Sequence, residues 1–302
     1  MRTKELGGTG VMIPEIGLGT WNYRAGPTPL RRGLESGALF IDTAESYDTE
    51  VVVGQAIRGL RQRVVLATKV SPQNFRTADL RKSVESSLRR LGVDSIDLLQ
   101  LHSPNPDVPI AETMGTLSDL ADAGKIRFLG VSNFSVAQLQ AAQAASSKYP
   151  VVSNQVRYNI IDRTIERELL PFCQTNRITV IAYSPLARGL NRIRDCDRRG
   201  TLTELAGIMG KTAAQIVLNW CLCKDAVVAI PKGNSEEHIL ENCGASDWRL
   251  TKGEIAQLDR DIEYRHRTRF DTWARKWTPQ GLHHVALATV ERLPAALRRR
   301  LN

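Results

Sequence analysis

Gly37-Ala38-Leu39-Phe40-Ile41-Asp42-Thr43-Ala44-Glu45-Ser46-Tyr47-Asp48-Thr49-Glu50 is the stretch from which the architecture can be read. Its apolar run, residues 38–41, stops abruptly at Asp42, and its one aromatic beyond that point, Tyr47, follows five residues later. So short an apolar run is a buried strand rather than a helix. Asp42 is therefore expected at the carboxyl end of a strand, with Tyr47 reaching back over it from the loop. The same event recurs downstream, where residues 64–68 end in Lys69 and residues 96–101 end in His102. Three successive strands thus deliver a carboxylate with a phenol, an ammonium and an imidazole to one rim.

Working outward, residues 4–13 hold Gly7, Gly8 and Gly10 between short apolar pieces, the pattern of a tight hairpin. Residues 15–21 form a short strand whose glycines admit close backbone approach. Helices are expected at 29–36 and 49–58, and Leu80, Val84, Leu88 and Leu91 give 77–91 an amphipathic period. Residues 110–123 form a helix that Gly124 stops. Strand 128–131 ends at Ser132-Asn133, helix 135–146 follows, and strand 151–156 contains Asn154 and Gln155. Helix 164–174 leads to strand 179–182, which ends at Tyr183. A basic connection over 188–199, helix 212–222, strand 227–230 ending at Pro231-Lys232-Gly233, and helix 235–242 complete the pattern.

From Ile16 onward this makes eight strands, each followed by a helix. That is the recipe for an α/β fold of the (β/α)8 TIM barrel type, with reactive groups at the carboxyl ends of the strands. A doubly wound sheet is the alternative arrangement of the same elements. The expectation is one domain over 1–302, with an N-terminal β-hairpin, a barrel over about 14–248 and a C-terminal extension over about 261–302.

Composition narrows the function classes. Hydrophobic content of 42% and charged content of 24% are those of a soluble globular chain. No apolar run reaches the ~18 residues of a membrane span, and the opening MRTKELGGTG lacks a secretory pattern. A cytoplasmic protein with no membrane partner is expected. Five cysteines, odd in number and scattered, point to reduced thiols; Cys221 and Cys223 read as core residues, since no second pair completes a zinc cage. Of the net charge of +9, residues 261–302 carry nine Lys/Arg against four Asp/Glu. The rest shows no interleaving of basic and aromatic residues, so no nucleic-acid partner is expected.

Thr20, Asp42, Lys69, His102, Ser132, Asn133, Gln155, Tyr183 and Lys232 all fall at strand ends. Singly, each has a structural explanation: a cap, a solvated lysine, a strand terminus. Arriving together at one rim, they describe a site. Several shorter motifs do not. Gly7-Gly8-Thr9-Gly10 lacks the spacing and flanking elements of a dinucleotide fingerprint, and Gly210-Lys211-Thr212 has Leu205 where a phosphate loop needs glycine. A zinc hydrolase using Asp42 and His102 is disfavoured because His238, His266, His283 and His284 lie away from the predicted strand ends.

These residues resemble the aldo-keto reductase family over residues 4–248. Residues 37–54 are similar to its first signature: Asp42-Thr43-Ala44, Tyr47, Glu50 and Gly54. LATKV around Lys69, LLQLH ending in His102, GVSNF at 130–134, NQV around Gln155, YSPLARG from Tyr183 and IPKGNSEEHILEN from Ile230 follow in the family's order. The resemblance implies NAD(P)H-dependent reduction of a carbonyl, with Asp42, Tyr47, Lys69 and His102 as the catalytic tetrad and a small carbonyl compound as substrate. Chemistry agrees: the carbonyl oxygen needs a proton donor and preorganised positive partners. An ammonium beside a phenol favours the phenolate. The same resemblance assigns Ser132, Asn133 and Gln155 to the carboxamide, Tyr183 to stacking on the nicotinamide, and Gly19, Thr20 and Trp21 to the cofactor and substrate wall. It assigns Ser184 and Leu186 to the pyrophosphate, and Lys232, His238, Glu241 and Asn242 to the adenosine end.

Two positions depart from the pattern. His238 stands where many relatives have an arginine, so NADP(H) is favoured on Lys232 with NAD(H) as the alternative. Ser103 stands where many have a pocket tryptophan, which implies a more open pocket. Phe270, Trp273 and Trp277 in the basic tail suggest a segment over the barrel mouth or a subunit contact; the assembly expected is a monomer or small homo-oligomer. A cofactor-holding regulatory subunit of the same fold is the alternative function.

Overall fold

A computed structural model describes residues 1–146 and 148–264. The tail with Phe270, Trp273 and Trp277 therefore lies outside the described residues, as do His266, His283 and His284. Strands β1 (Thr3–Glu5) and β2 (Met12–Pro14) pair antiparallel as the expected hairpin. Eight parallel strands follow: β3 (Leu18–Gly19), β4 (Phe40–Asp42), β5 (Val65–Val70), β6 (Ile96–Leu101), β7 (Ile126–Ser132), β8 (Val151–Arg157), β9 (Thr179–Tyr183) and β10 (Val227–Ala229). They pair in sequence order. The ring closes where Ile16 bridges Ala229, Gly17 N donates to Ala229 O (2.8 Å) and Gly19 N donates to Pro231 O (3.1 Å). This is the (β/α)8 barrel, and it disposes of the doubly wound alternative, whose sheet would have two free edges.

The covering helices are α1 (Pro27–Glu35), α2 (Glu50–Ile57), α3 (Thr77–Leu91), α4 (Ile110–Asp122), α5 (Val136–Ala144), α6 (Leu169–Thr175), α7 (Leu190–Arg194), α8 (Thr201–Met209), α9 (Ala213–Leu222), α10 (Glu236–Cys243) and α11 (Lys252–Asp261). The helix expected over 164–174 is instead a 3₁₀ turn, Thr164–Glu166, followed by α6. Pro171 explains the break: it has no N–H for an interior bond and is tolerated only in a first turn. Gly210-Lys211-Thr212 is the left-handed end of α8 followed by the cap of α9, with the Thr212 hydroxyl accepting from Gln215 N at 3.2 Å.

Alternation along each strand sorts the core into two layers. Phe40, Ala67, Leu98, Ile181 and Val228 pack inside the ring with Leu6 and Ile13 of the hairpin, which plug its amino end. Ile41, Leu66, Leu99 and Val131 face outward into the layer between strands and helices. Each such fully buried side chain contributes roughly 1.5–3 kcal/mol relative to exposure. The carboxyl end is the open one.

Candidate active site

Two positions beyond Phe40, Ala67 and Leu98 come Asp42, Lys69 and Gln100, so the period of two that sends those apolar residues inward sends these polar ones inward as well. Parallel register sets them side by side: Asp42 lies opposite Ala67 and Lys69 opposite Gln100. Lys69 is fully buried and Asp42 is 1% exposed. The Lys69 ammonium donates to Asp42 Oδ1 at 2.5 Å and to Thr43 O at 2.8 Å. The other oxygen, Asp42 Oδ2, accepts from Gln100 Nε2 (2.9 Å) and Gln155 Nε2 (2.8 Å). A carboxylate so saturated has one role left, to hold the ammonium where it is.

Tyr47 sits on a 3₁₀ turn, Glu45–Tyr47, immediately after β4. Its ring centroid is 4.7 Å from Lys69 Nζ. Its hydroxyl lies 3.4 Å from His102 Nε2, and the two rings meet edge to face with centroids 5.4 Å apart. Burial pushes the Tyr47 phenol up, and Lys69 pulls against it without cancelling it. Lys69 thus favours the phenolate, as expected of an adjacent ammonium, although desolvation is the larger effect in this structure. Burial also works against the Lys69 ammonium, but Asp42 and Tyr47 outweigh it and the net direction is up. His102 is lowered to about 4, by burial first and by Lys69 second, which keeps its imidazole neutral at pH 7.

The turn carrying Tyr47 is clamped from below. Glu45 Oε1 accepts from Ser71 N (2.6 Å) and Asn74 Nδ2 (2.9 Å), and its Oε2 accepts from the Ser83 hydroxyl. Thr49 joins the hydroxyls of Thr43 (2.8 Å) and Thr20 (3.0 Å). Glu50 is buried and held by Thr68 Oγ1 (2.6 Å) and Arg90 Nε (2.7 Å). Gly54 is there for packing: a Cβ would come within 2.2 Å of Leu91 O on α3.

Around the rim, Ser132 Oγ donates to Gln155 O (2.8 Å), and Asn133 Nδ2 donates to His102 O (3.2 Å). Tyr183 OH donates to Asn133 Oδ1 (3.1 Å). Asn133 and Ser184 adopt left-handed backbone, φ 62° and 50°, where each chain turns off its strand. Ser184 O accepts from Asn159 Nδ2 (3.0 Å), and Leu186 packs on the outer core. Thr20 is buried beside Asp42, donating to its carbonyl at 3.0 Å. Trp21 is 45% exposed beneath the guanidinium of Arg188, 5.2 Å from its ring centroid. Gly19 belongs to the barrel seam, where a Cβ would lie 2.5 Å from Ile230 O. The Ser103 hydroxyl donates to His102 O (2.7 Å).

The residues expected at the adenosine end are spread along α10: Lys232 precedes it, His238 is in its first turn, and Glu241 and Asn242 are in its last. Ser235 caps this helix, its hydroxyl accepting from His238 N at 3.2 Å. His238 and Lys232 are exposed, Glu241 is half-buried and Asn242 is buried. Partial burial lowers the Lys232 amine, and the Arg24 guanidinium lowers it further. No carboxylate pairs with either Arg24 or Lys232 among the described residues.

With this geometry in place, comparison with known proteins is informative. Residues 15–263 match the aldo/keto reductase family. The chain belongs to that family. Methylglyoxal reductase YeaE of Escherichia coli strain K12 is 36% identical over 260 residues, covering 83% of this chain and 91% of its own. An aldo-keto reductase of Klebsiella pneumoniae in complex with NADPH superposes with a TM-score of 0.82 at 40% identity, covering 88% of this chain and 98% of that one. A thermostable aldo-keto reductase in complex with the inhibitor epalrestat gives 0.80 at 40% identity, covering 86% and 99%.

Within this aldo-keto reductase barrel, sequence reasoning passed over Gln100, Glu45 and Arg24. Gln100 had a visible signal, a polar residue in an apolar strand two positions before His102. Glu45 and Arg24 act through contacts that only the folded chain supplies. Among the described residues no helix is long and apolar enough to cross a membrane.

Proposed function

We propose that this chain reduces small aldehydes or ketones to alcohols with NADPH as reductant, Tyr47 giving the proton. The observation that carries the reading is the packing of Tyr47 against both Lys69 Nζ and neutral His102, over a carboxylate already saturated by two glutamines. NADPH, when bound, supplies the hydride. Tyr47 then donates its proton to the carbonyl oxygen, and Lys69 stabilises the phenolate that is left. Neutral His102 donates a hydrogen bond that orients the same oxygen. Asp42 acts through Lys69, fixing its position and its charge.

The residues present fit the cofactor. Ser132, Asn133 and Gln155, joined at the rim, would hold the carboxamide, and Tyr183, tied to Asn133, would stack on the nicotinamide. The Arg24 guanidinium lowers the Lys232 amine, after burial, and neither cation has a carboxylate partner among the described residues; a 2′-phosphate would supply an anionic one. The NADPH complex of the Klebsiella relative supports the same choice of cofactor, and the name of the Escherichia relative points to small oxoaldehydes as first substrates to try. A subunit that merely held the cofactor would have no use for a phenol beside an ammonium. The test is NADPH absorbance decay with methylglyoxal and a panel of small aldehydes. Turnover that the Tyr47→Phe protein matches would overturn the reading.

A further inference from the structure

At the end of the barrel opposite the rim, a cavity of about 720 Å³ opens between the carboxyl ends of α2 and α3 and the amino ends of β5, β6 and β7. Six arginines line it, Arg58, Arg61, Arg63, Arg89, Arg90 and Arg127, against two carboxylates, Asp94 and Asp97. Two of the six are accounted for. Arg61 pairs with Asp97 Oδ2 at 2.7 Å and also donates to Val64 O (3.0 Å) and Ser95 O (2.8 Å), which makes it part of the floor. Arg90 pairs with buried Glu50 at 2.6 Å. Of the others, Arg89 donates to the Ser86 hydroxyl (2.9 Å) and Arg127 lies over the Phe128 ring (4.8 Å). Arg58, Arg63, Arg89 and Arg127 have no carboxylate partner among the described residues.

Helix ends explain part of this. Cations at a helix carboxyl terminus are worth about 0.3–1 kcal/mol, which covers Arg58, Arg89 and Arg90. It covers neither Arg127, on β7, nor Arg63, in a single 3₁₀ turn. These two line the same cavity as the helix-end arginines, and Asp94 is the one lining carboxylate that no arginine claims, so positive charge is in excess there. Guanidinium forks match phosphate oxygens two at a time, and the volume is that of a small-molecule site. The geometry points to a binding site here for a small polyanion carrying two or more phosphate groups, gripped by Arg58, Arg63, Arg89 and Arg127. The feature is a cleft of limited extent, partly open to solvent; a nucleic-acid polymer would call for an extended basic stripe.

The test uses the full chain at 150 mM salt, titrated calorimetrically with inorganic tripolyphosphate, with and without saturating NADPH. The double variant Arg63→Gln/Arg127→Gln alters two exposed side chains of the cavity. Arg198→Gln/Arg199→Gln removes the same charge from positions paired with Glu263 and Asp261. One tripolyphosphate per chain is expected for the wild type and the control, with affinity at least tenfold weaker in the cavity variant and NADPH without effect. Four results would each overturn the site: equal affinity in all three proteins, equal loss in both variants, binding abolished by NADPH, or tighter binding of a single-stranded oligonucleotide than of tripolyphosphate.

Discussion

Lys69 at the carboxyl end of the barrel and Lys4 at its amino end both carry amines withdrawn from water, and they are used in opposite ways. Lys4 Nζ donates to Leu222 O (2.7 Å), Lys224 O (2.8 Å) and Val227 O (2.7 Å), which exhausts its three protons on neutral carbonyls. Burial accordingly lowers it to about 8. Lys69 spends one proton on Asp42 and one on Thr43 O, which leaves the third for Tyr47. A saturated lysine stitches the hairpin to the barrel; an unsaturated one, kept charged by its carboxylate, is equipped for chemistry.

Four predictions press on that contrast. The largest effect is expected at Lys69→Met, which leaves Asp42 buried without its cation at a cost of about 3–5 kcal/mol and abolishes turnover. Lys4→Met is expected to cost about 1.5–3 kcal/mol and to leave kcat unchanged where both proteins are folded. Urea unfolding and NADPH assays on the two proteins separate the roles, and a comparable kcat loss in Lys4→Met would erase the distinction. The sign for Lys4 follows from its lowered pKa. Between about pH 8 and 10.5 the unfolded chain holds more protons than the folded one, so wild-type stability rises with pH in that window and the Lys4→Met protein lacks the rise.

Tyr47→Phe comes next, with kcat lower by about 100-fold or more and a melting temperature close to wild type, because the turn is held by Glu45 rather than by the phenol. Smaller again are the effects at the adenosine end. Arg24→Gln is expected to weaken NADPH about tenfold, as loss of a charge-assisted bond to phosphate does, with NADH nearly unaffected, while His238→Arg tightens NADPH more than NADH. Fluorescence titrations of both dinucleotides measure this, and parallel changes in the two dissociation constants would break the assignment.

The smallest effect is at His102. Its folded pKa of about 4 lies below the reference value of 6.5, so the unfolded chain takes up the proton first. Stability present above about pH 6.5 is lost as pH falls toward 4. Denaturation midpoints across that range should fall more steeply for wild type than for His102→Gln; identical slopes would show that the imidazole titrates normally.

The strand ends were legible because an apolar run halted by one polar residue is a local signal, and Asp42, Lys69 and His102 were each found that way. Pairing across the ring was not legible: Gln100 meets Asp42 across 58 positions of sequence, and only strand register brings them together. Helix α8 went unrecognised between the basic connection over 188–199 and helix 212–222, although Leu202, Leu205, Ala206 and Met209 have helical spacing. Helix α11 has little apolar periodicity, Ile255 and Leu258 being its main inward residues; its real announcement is the reciprocal cap between Thr251 and Glu254. The left-handed turns at Asn133 and Ser184, which aim the rim residues, leave no mark in composition.

The join between Ile16 and Ala229 is short, and its hydrogen bonds run from Ala229 to Glu15, from Gly17 to Ala229 and from Gly19 to Pro231. The next residues on the two sides are Thr20 and Lys232, so two residues proposed to meet the cofactor hang from one zipper of a few amides. Opening of that seam would be felt at Asp42 as well, because Thr20 N (3.1 Å) and Thr20 Oγ1 (3.0 Å) both donate to Asp42 O. Amide exchange at Gly17 and Gly19 thus becomes a readable clock for how often the barrel's closing seam opens.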